Sequence, residues 1–123
     1  MPTIVHFEIP TDDLERAKRF YTELFGWKIE KYPGPMEYWM ITTTDEEGKK
    51  ALEGGMIQRQ DPQHPITNYI DVPAIDEYAV KVENLGGKVV FPKTAVPGIG
   101  YFAVCLDTED NIFAIWETDD SAK

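Results

Sequence analysis

His6 is the side chain in this sequence whose type and setting best suit chemistry. In the stretch Val5-His6-Phe7-Glu8-Ile9, strand alternation turns Val5, Phe7 and Ile9 to one face and His6 and Glu8 to the other. An imidazole with an ordinary pKa passes protons near neutrality. Glu8, two residues on and on the same face, can orient it, accept a hydrogen bond from a ligand or act as a base; it reads equally well as a carboxylate in water at the rim. The nucleophile types offer less. Serine occurs only at Ser121 in the tail, and Cys105 lies inside the apolar run Tyr101 to Leu106, which fits a buried thiol better than an attacking one. Gly98-Ile99-Gly100 precedes a strand and not a helix, so it is no phosphate loop. Trp39, Tyr101 and Trp116 have the flat, polar-tipped rings that wall a small-molecule site, with Trp39 and Tyr101 reading equally well as core. His64, among prolines, reads as solvated.

These side chains need elements to hold them. Thr3 to Ile9 alternates as a strand, and Pro10-Thr11-Asp12-Asp13 leads into a helix, with Asp12 and Glu15 spaced as a capping box. Leu14, Ala17, Phe20, Tyr21, Leu24 and Phe25 recur at spacings of three and four, a stripe that can lie on a sheet, and Gly26 supplies a left-handed end. Strands then follow at Trp27 to Tyr32, Tyr38 to Thr43 and Gly54 to Gln58. Pro33-Gly34-Pro35 and Asp45-Glu46-Glu47-Gly48 read as the turns between them.

After the link Gln60-Asp61-Pro62-Gln63-His64-Pro65 the same order begins again. Ile66 to Asp71 is a strand, and Val72-Pro73 opens a helix with the stripe Ile75, Tyr78, Ala79, Val82 and Leu85, closed by Gly86-Gly87. A shift of 61 positions lays Ile75 on Leu14, Val82 on Tyr21, Leu85 on Leu24 and Gly87 on Gly26. Strands at Lys88 to Phe91, Tyr101 to Leu106 and Asn111 to Glu117 complete the second copy. The sequence therefore predicts an α+β domain over 1–123 made of two tandem βαβββ modules, about 1–60 and 66–123. If each helix covers one face of its sheet, the other faces are left to form paired half-barrels around a groove.

Composition narrows the partners. At 123 residues, 42% of them hydrophobic, the chain can bury one core. The formal charge of -10 repels a phosphate backbone or an anionic bilayer, which excludes nucleic acid and membrane as partners. One cysteine allows no internal disulfide, no run of residues approaches a membrane span, and no basic, apolar leader opens the chain, so a cytoplasmic protein is expected.

The segment Val5-His6-Phe7-Glu8-Ile9, the helix ending Phe20-Tyr21-Thr22-Glu23-Leu24-Phe25-Gly26-Trp27 and the closing Asp107-Thr108-Glu109-Asp110-Asn111-Ile112-Phe113, set in this repeat, resemble the vicinal oxygen chelate superfamily. This superfamily includes glyoxalase I, bleomycin-resistance proteins, extradiol dioxygenases and methylmalonyl-CoA epimerase. The resemblance implies a metal in a cleft, held by residues of the first and last strands of each module. His6 falls on the first ligand position. Thr67 stands where metal-binding relatives carry histidine, Ala114 where they carry glutamate, and Gln58 is an oxygen-donor candidate on the fourth strand, its register open. Asp110 stands where relatives often have glycine. The resemblance, taken with the alternation that places Glu8 and the aromatic character of Tyr101 and Trp116, gives His6, Glu8, Gln58, Thr67, Tyr101, Ala114 and Trp116 as expected ligand-binding positions, His6 alone being a clear metal donor. The expected function is small-molecule binding with no cofactor, in a homodimer; a divalent metal serving a lyase, epimerase or dioxygenase is the alternative. Whether any reaction is catalysed stays open.

Overall fold

Alternation at the N-terminus produces the expected strand, starting one residue later and ending two residues later: in the computed structural model, which describes residues 1–33 and 37–123, β1 runs Ile4–Thr11. It is followed by α1 (Leu14–Phe25), β2 (Lys28–Lys31), β3 (Tyr38–Thr42) and β4 (Glu53–Gln58). The second copy comprises β5 (Thr67–Asp71), α2 (Ile75–Asn84), β6 (Lys88–Val96), β7 (Gly100–Leu106) and β8 (Ile112–Thr118). The fold is α+β with βαβββ order twice over. The chain divides into two compact units, residues 6–66 and residues 67–123 with 1–5. The expected turn at Pro33-Gly34-Pro35 falls partly outside the described residues. Among those residues no helix is long and apolar enough to cross a membrane.

In the first unit the strand order is β2-β3-β4-β1, antiparallel except for the parallel pair β1 and β4. Leu14, Ala17 and Tyr21 of the expected α1 stripe pack on one face of this sheet, whereas Phe20, Leu24 and Phe25 stay exposed. Ile9, Leu14, Ile29, Ile41 and Met56 are its buried centre, with Phe7, Ala17, Tyr21, Trp27 and Trp39 packed around them. Ile41 and Met56 are fully buried, and withdrawing each from water stabilises the fold by about 1.5–3 kcal/mol. Trp39 belongs to this core, with the Lys18 ammonium 4.8 Å from its ring centre. Gly26 ends the helix as expected, at φ 75°, its N–H bonding the Thr22 carbonyl at 2.9 Å. The cap at the other end is one residue later than the sequence reading placed it. The helix starts at Leu14, so the Asp13 carboxylate accepts the Arg16 N–H at 3.0 Å. Asp12 is instead bound by the Arg59 guanidinium at 3.0 Å.

In the second unit the order is β5-β8-β7-β6, with β5 and β8 parallel. Val72, Ile75, Ala103, Cys105 and Ile115 form the core under α2. The helix begins later than Val72-Pro73 implied. Its N-cap Ala74 has no side-chain acceptor, and the Glu117 carboxylate on β8 accepts the Ile75 N–H at 2.8 Å. β6 runs five residues past the expected end at Phe91, because register shifts at Val89/Phe91 and Phe91/Thr94 let the strand bend and continue pairing with β7.

Candidate functional site

Strand register sorts the site residues by face. Phe7 pairs with Gly54, and Ile9 with Met56, which pairs with Trp39; these side chains lie toward α1. The intervening residues His6, Glu8 and Pro10 of β1, Glu53, Gly55 and Ile57 of β4, and Tyr38 and Met40 of β3 share the face that α1 leaves uncovered. His6 and Glu8 therefore stand together where alternation put them. Gln58 does not join them. It shares the parity of Met56 and faces the helix side, where its carboxamide donates to the Asp12 carbonyl at 3.3 Å.

A polar contact on the uncovered face involves Tyr38, a residue the sequence did not single out. The Tyr38 hydroxyl lies 2.6 Å from His6 Nε2, and the two rings stack with an interplanar angle of 17°. In register Tyr38 is level with Ile57 and Pro10, so its ring runs diagonally over β4 to reach His6. It can do so because position 55 is glycine: a methyl there would overlap the phenol oxygen. Tyr32 abuts Tyr38 edge-on at 6.4 Å. Burial pushes the His6 pKa below its ordinary 6.5, and the nearby Glu53 carboxylate opposes that shift in part. At neutral pH the imidazole is neutral. This pair can exchange a proton along its hydrogen bond and can present hydrogen-bonding atoms to a polar ligand.

The second unit repeats the separation of faces. Tyr69 pairs with Ala114, which pairs with Val104; Asp71 pairs with Trp116, which pairs with Phe102. Together with Thr67 these occupy the face opposite α2. Thr67 and Ala114 are buried, at 4% and 0% exposure. Phe91 and Phe102 stack at 5.9 Å with planes 7° apart, and Tyr69 lies 6.4 Å from Phe102. Trp116 donates its indole N–H to the Thr118 hydroxyl at 3.0 Å and lies over Gly100. Tyr101 goes the other way. Its parity is that of Ala103 and Cys105, so it packs into the α2 core with the Lys93 ammonium 4.4 Å from its ring centre. Phe102, one residue on, takes the place expected of it. Cys105 is fully buried, and burial pushes its thiol up to about 11.

Two features lie elsewhere. His64 is half-buried, its Nδ1 accepting the Gln60 N–H at 3.3 Å and its carbonyl accepting from Arg59 at 2.9 Å, which ties the link to the first unit. The depression lined by Asp12, Arg59, Gln60, Asp61 and Pro62 holds none of the expected site residues.

A divalent transition metal needs three or four His, Cys or carboxylate donors. Among the described residues no three such side chains come together. Thr67 offers only a hydroxyl and Ala114 nothing, and the His6 Nε2 faces a phenol. This donor set does not fit the superfamily's metal.

Known proteins agree with the architecture. A family model described as bleomycin resistance protein-like N-terminal matches residues 3–44. The chain is 30% identical over 126 residues to the anthracycline biosynthesis protein DnrV of Streptomyces peucetius, covering 89% of this chain and 45% of that protein. It thus spans about half the length of curated relatives of this kind. A glyoxylase-like domain-containing protein of Didymella fabae is 30% identical over 112 residues, 88% of each chain. A glyoxalase/bleomycin resistance protein/dioxygenase superfamily member from Vibrio splendidus 12B01 superposes with a TM-score of 0.65 over 97% of this chain and 100% of that one; at 14% identity it shows the fold alone. With two βαβββ units, a helix on one face of each sheet and a relative matched along nearly its whole length, the chain belongs to the vicinal oxygen chelate superfamily, among its glyoxalase- and bleomycin-resistance-like members.

Proposed function

We propose that this chain binds a small organic molecule on the sheet faces its helices leave uncovered, without a divalent metal. The observation that carries the reading is the contact of His6 with Tyr38; it is supported by Thr67 and Ala114, which stand where the resemblance implies metal donors and offer a hydroxyl and a methyl. Aromatic rings favour the same reading, since Tyr69, Phe91, Phe102 and Trp116 offer stacking surface in the second unit. One relative is named for anthracycline biosynthesis and the matching family model for bleomycin resistance, and anthracyclines and bleomycin are organic compounds. Glu8, Glu53 and Asp71 on these faces, in a chain of net charge -10, favour neutral or cationic ligands over anions.

The protein is read as a cytoplasmic homodimer. The exposed Phe20, Leu24 and Phe25 of α1 support an association, and sedimentation at micromolar concentration measures it. The binding function is tested by a thermal-shift screen of neutral and cationic aromatic compounds, with Trp116→Ala as the control. Saturable stabilisation that the substitution weakens is the expected result. Stabilisation by metal ions alone, abolished in His6→Ala, would instead establish a metal-dependent lyase, epimerase or dioxygenase.

A further inference from the structure

We propose that Tyr38 stands on the His6 nitrogen that a metal would otherwise take, so that this face meets its ligand through an imidazole–phenol pair. The inference rests on the metal-free reading above and adds to it a residue and a recognition chemistry. His6 Nε2 is one of the two nitrogens through which imidazole binds metals. A phenol oxygen 2.6 Å from it fills the direction of its lone pair, where a zinc ion would sit at about 2.0–2.1 Å.

The contact is built from three strands. His6 on β1 is level with Glu53, Glu8 with Gly55 and Met40, and Pro10 with Ile57 and Tyr38. The phenol therefore crosses the sheet obliquely, and only a residue without a Cβ at position 55 leaves it room. Tyr32, edge-on at 6.4 Å, packs against the Tyr38 ring. Position 38, position 55 and position 6 thus form one arrangement, and substituting any of them dismantles it.

The chemistry of the pair names the ligand class. A phenol has one donor and two lone pairs, so a bond to His6 leaves it capacity for a second partner. With its proton given to the His6 lone pair the phenol oxygen can only accept, so the ligand group that suits it is a hydroxyl or N–H donor of a neutral or cationic compound. Glu8 and Glu53 share the face and repel a phosphate or carboxylate.

Reaction of the intact chain with diethyl pyrocarbonate, followed site by site by mass spectrometry, tests the arrangement. The chain has two histidines, so His64 is an internal reference. Tyr38→Phe removes the hydroxyl, and Gly55→Ala displaces it while keeping the tyrosine. In both variants His6 should react about fivefold faster relative to His64 than in the wild type, the weight of one neutral hydrogen bond. An unchanged ratio in both would overturn the role of Tyr38. A parallel Ni²⁺ titration watches the His6 ring resonances of the wild-type protein. No response, with the ratios raised, supports the proposal. A saturable response at His6 would overturn both the proposal and the metal-free reading, whereas unchanged ratios without a response overturn only the former.

Discussion

Two adjacent glycines on β4 face opposite sides of the sheet, and replacing each by alanine should have different consequences. At Gly54 a methyl would run into the Phe7 ring, which is packed against the buried cluster of Ile9, Leu14, Ile29, Ile41 and Met56. Overpacking of this kind costs about 1–3 kcal/mol. The lost chain freedom of glycine returns about 0.4–1 kcal/mol through the unfolded state. The net for Gly54→Ala is a loss of about 1–2 kcal/mol, or roughly 4–8 °C in Tm for a domain of this size. At Gly55 the methyl would overlap only the tip of Tyr38, which can swing away on the uncovered face. The cost there is one hydrogen bond, about 1 kcal/mol, and the glycine term offsets most of it. Gly55→Ala should therefore melt within about 2 °C of the wild type, yet release His6. Urea and thermal unfolding followed by tryptophan fluorescence measure both variants. Equal losses for the two, or a larger loss at Gly55, would refute the assignment of faces.

Four more expectations can be checked separately. Glu117→Gln should destabilise the protein by about 1–2 kcal/mol in urea unfolding, because its carboxylate caps α2 in place of Ala74; Asp13→Ala, at an exposed cap, should cost about 1 kcal/mol. Cys105 should resist a thiol reagent at pH 8 until the protein is unfolded by urea. Its folded pKa of about 11 lies above the ordinary value of 9.0, so its stabilisation is complete below pH 9 and is lost as pH rises through 11. Over that interval the loss is of order 2–3 kcal/mol, read as the difference in pH slope between wild type and Cys105→Ala.

The scaffold was legible because its signals are local. Stripes at spacings of three and four, Gly26 after Phe25 and a second copy displaced by 61 positions specify helices and their order without knowledge of any pairing. Alternation alone also placed His6 and Glu8 on the uncovered face. Tyr101 and Gln58, which the sequence left open between two readings, are placed on the helix side by the same rule: Tyr101 shares parity with the buried Cys105, and Gln58 with the buried Met56. Tyr38 could not be read from the chain. Its contact with His6 spans 32 positions and depends on the registers of two strand pairs and on the missing side chain of Gly55. The Glu117 cap is tertiary in the same sense, joining residues 42 apart. Asp12 and Asp13 are chemically alike, and only the position of Leu14 against the sheet decides which of them caps.

On the reading proposed above, this chain binds its ligand without a divalent metal. Elemental analysis of protein purified without a histidine tag, followed by thermal unfolding with added Ni²⁺, Zn²⁺, Mn²⁺ or Fe²⁺, measures it most directly. The expected result is substoichiometric metal and an unchanged Tm for both wild type and His6→Ala. One metal per chain, or a rise in Tm that disappears in His6→Ala, would contradict it.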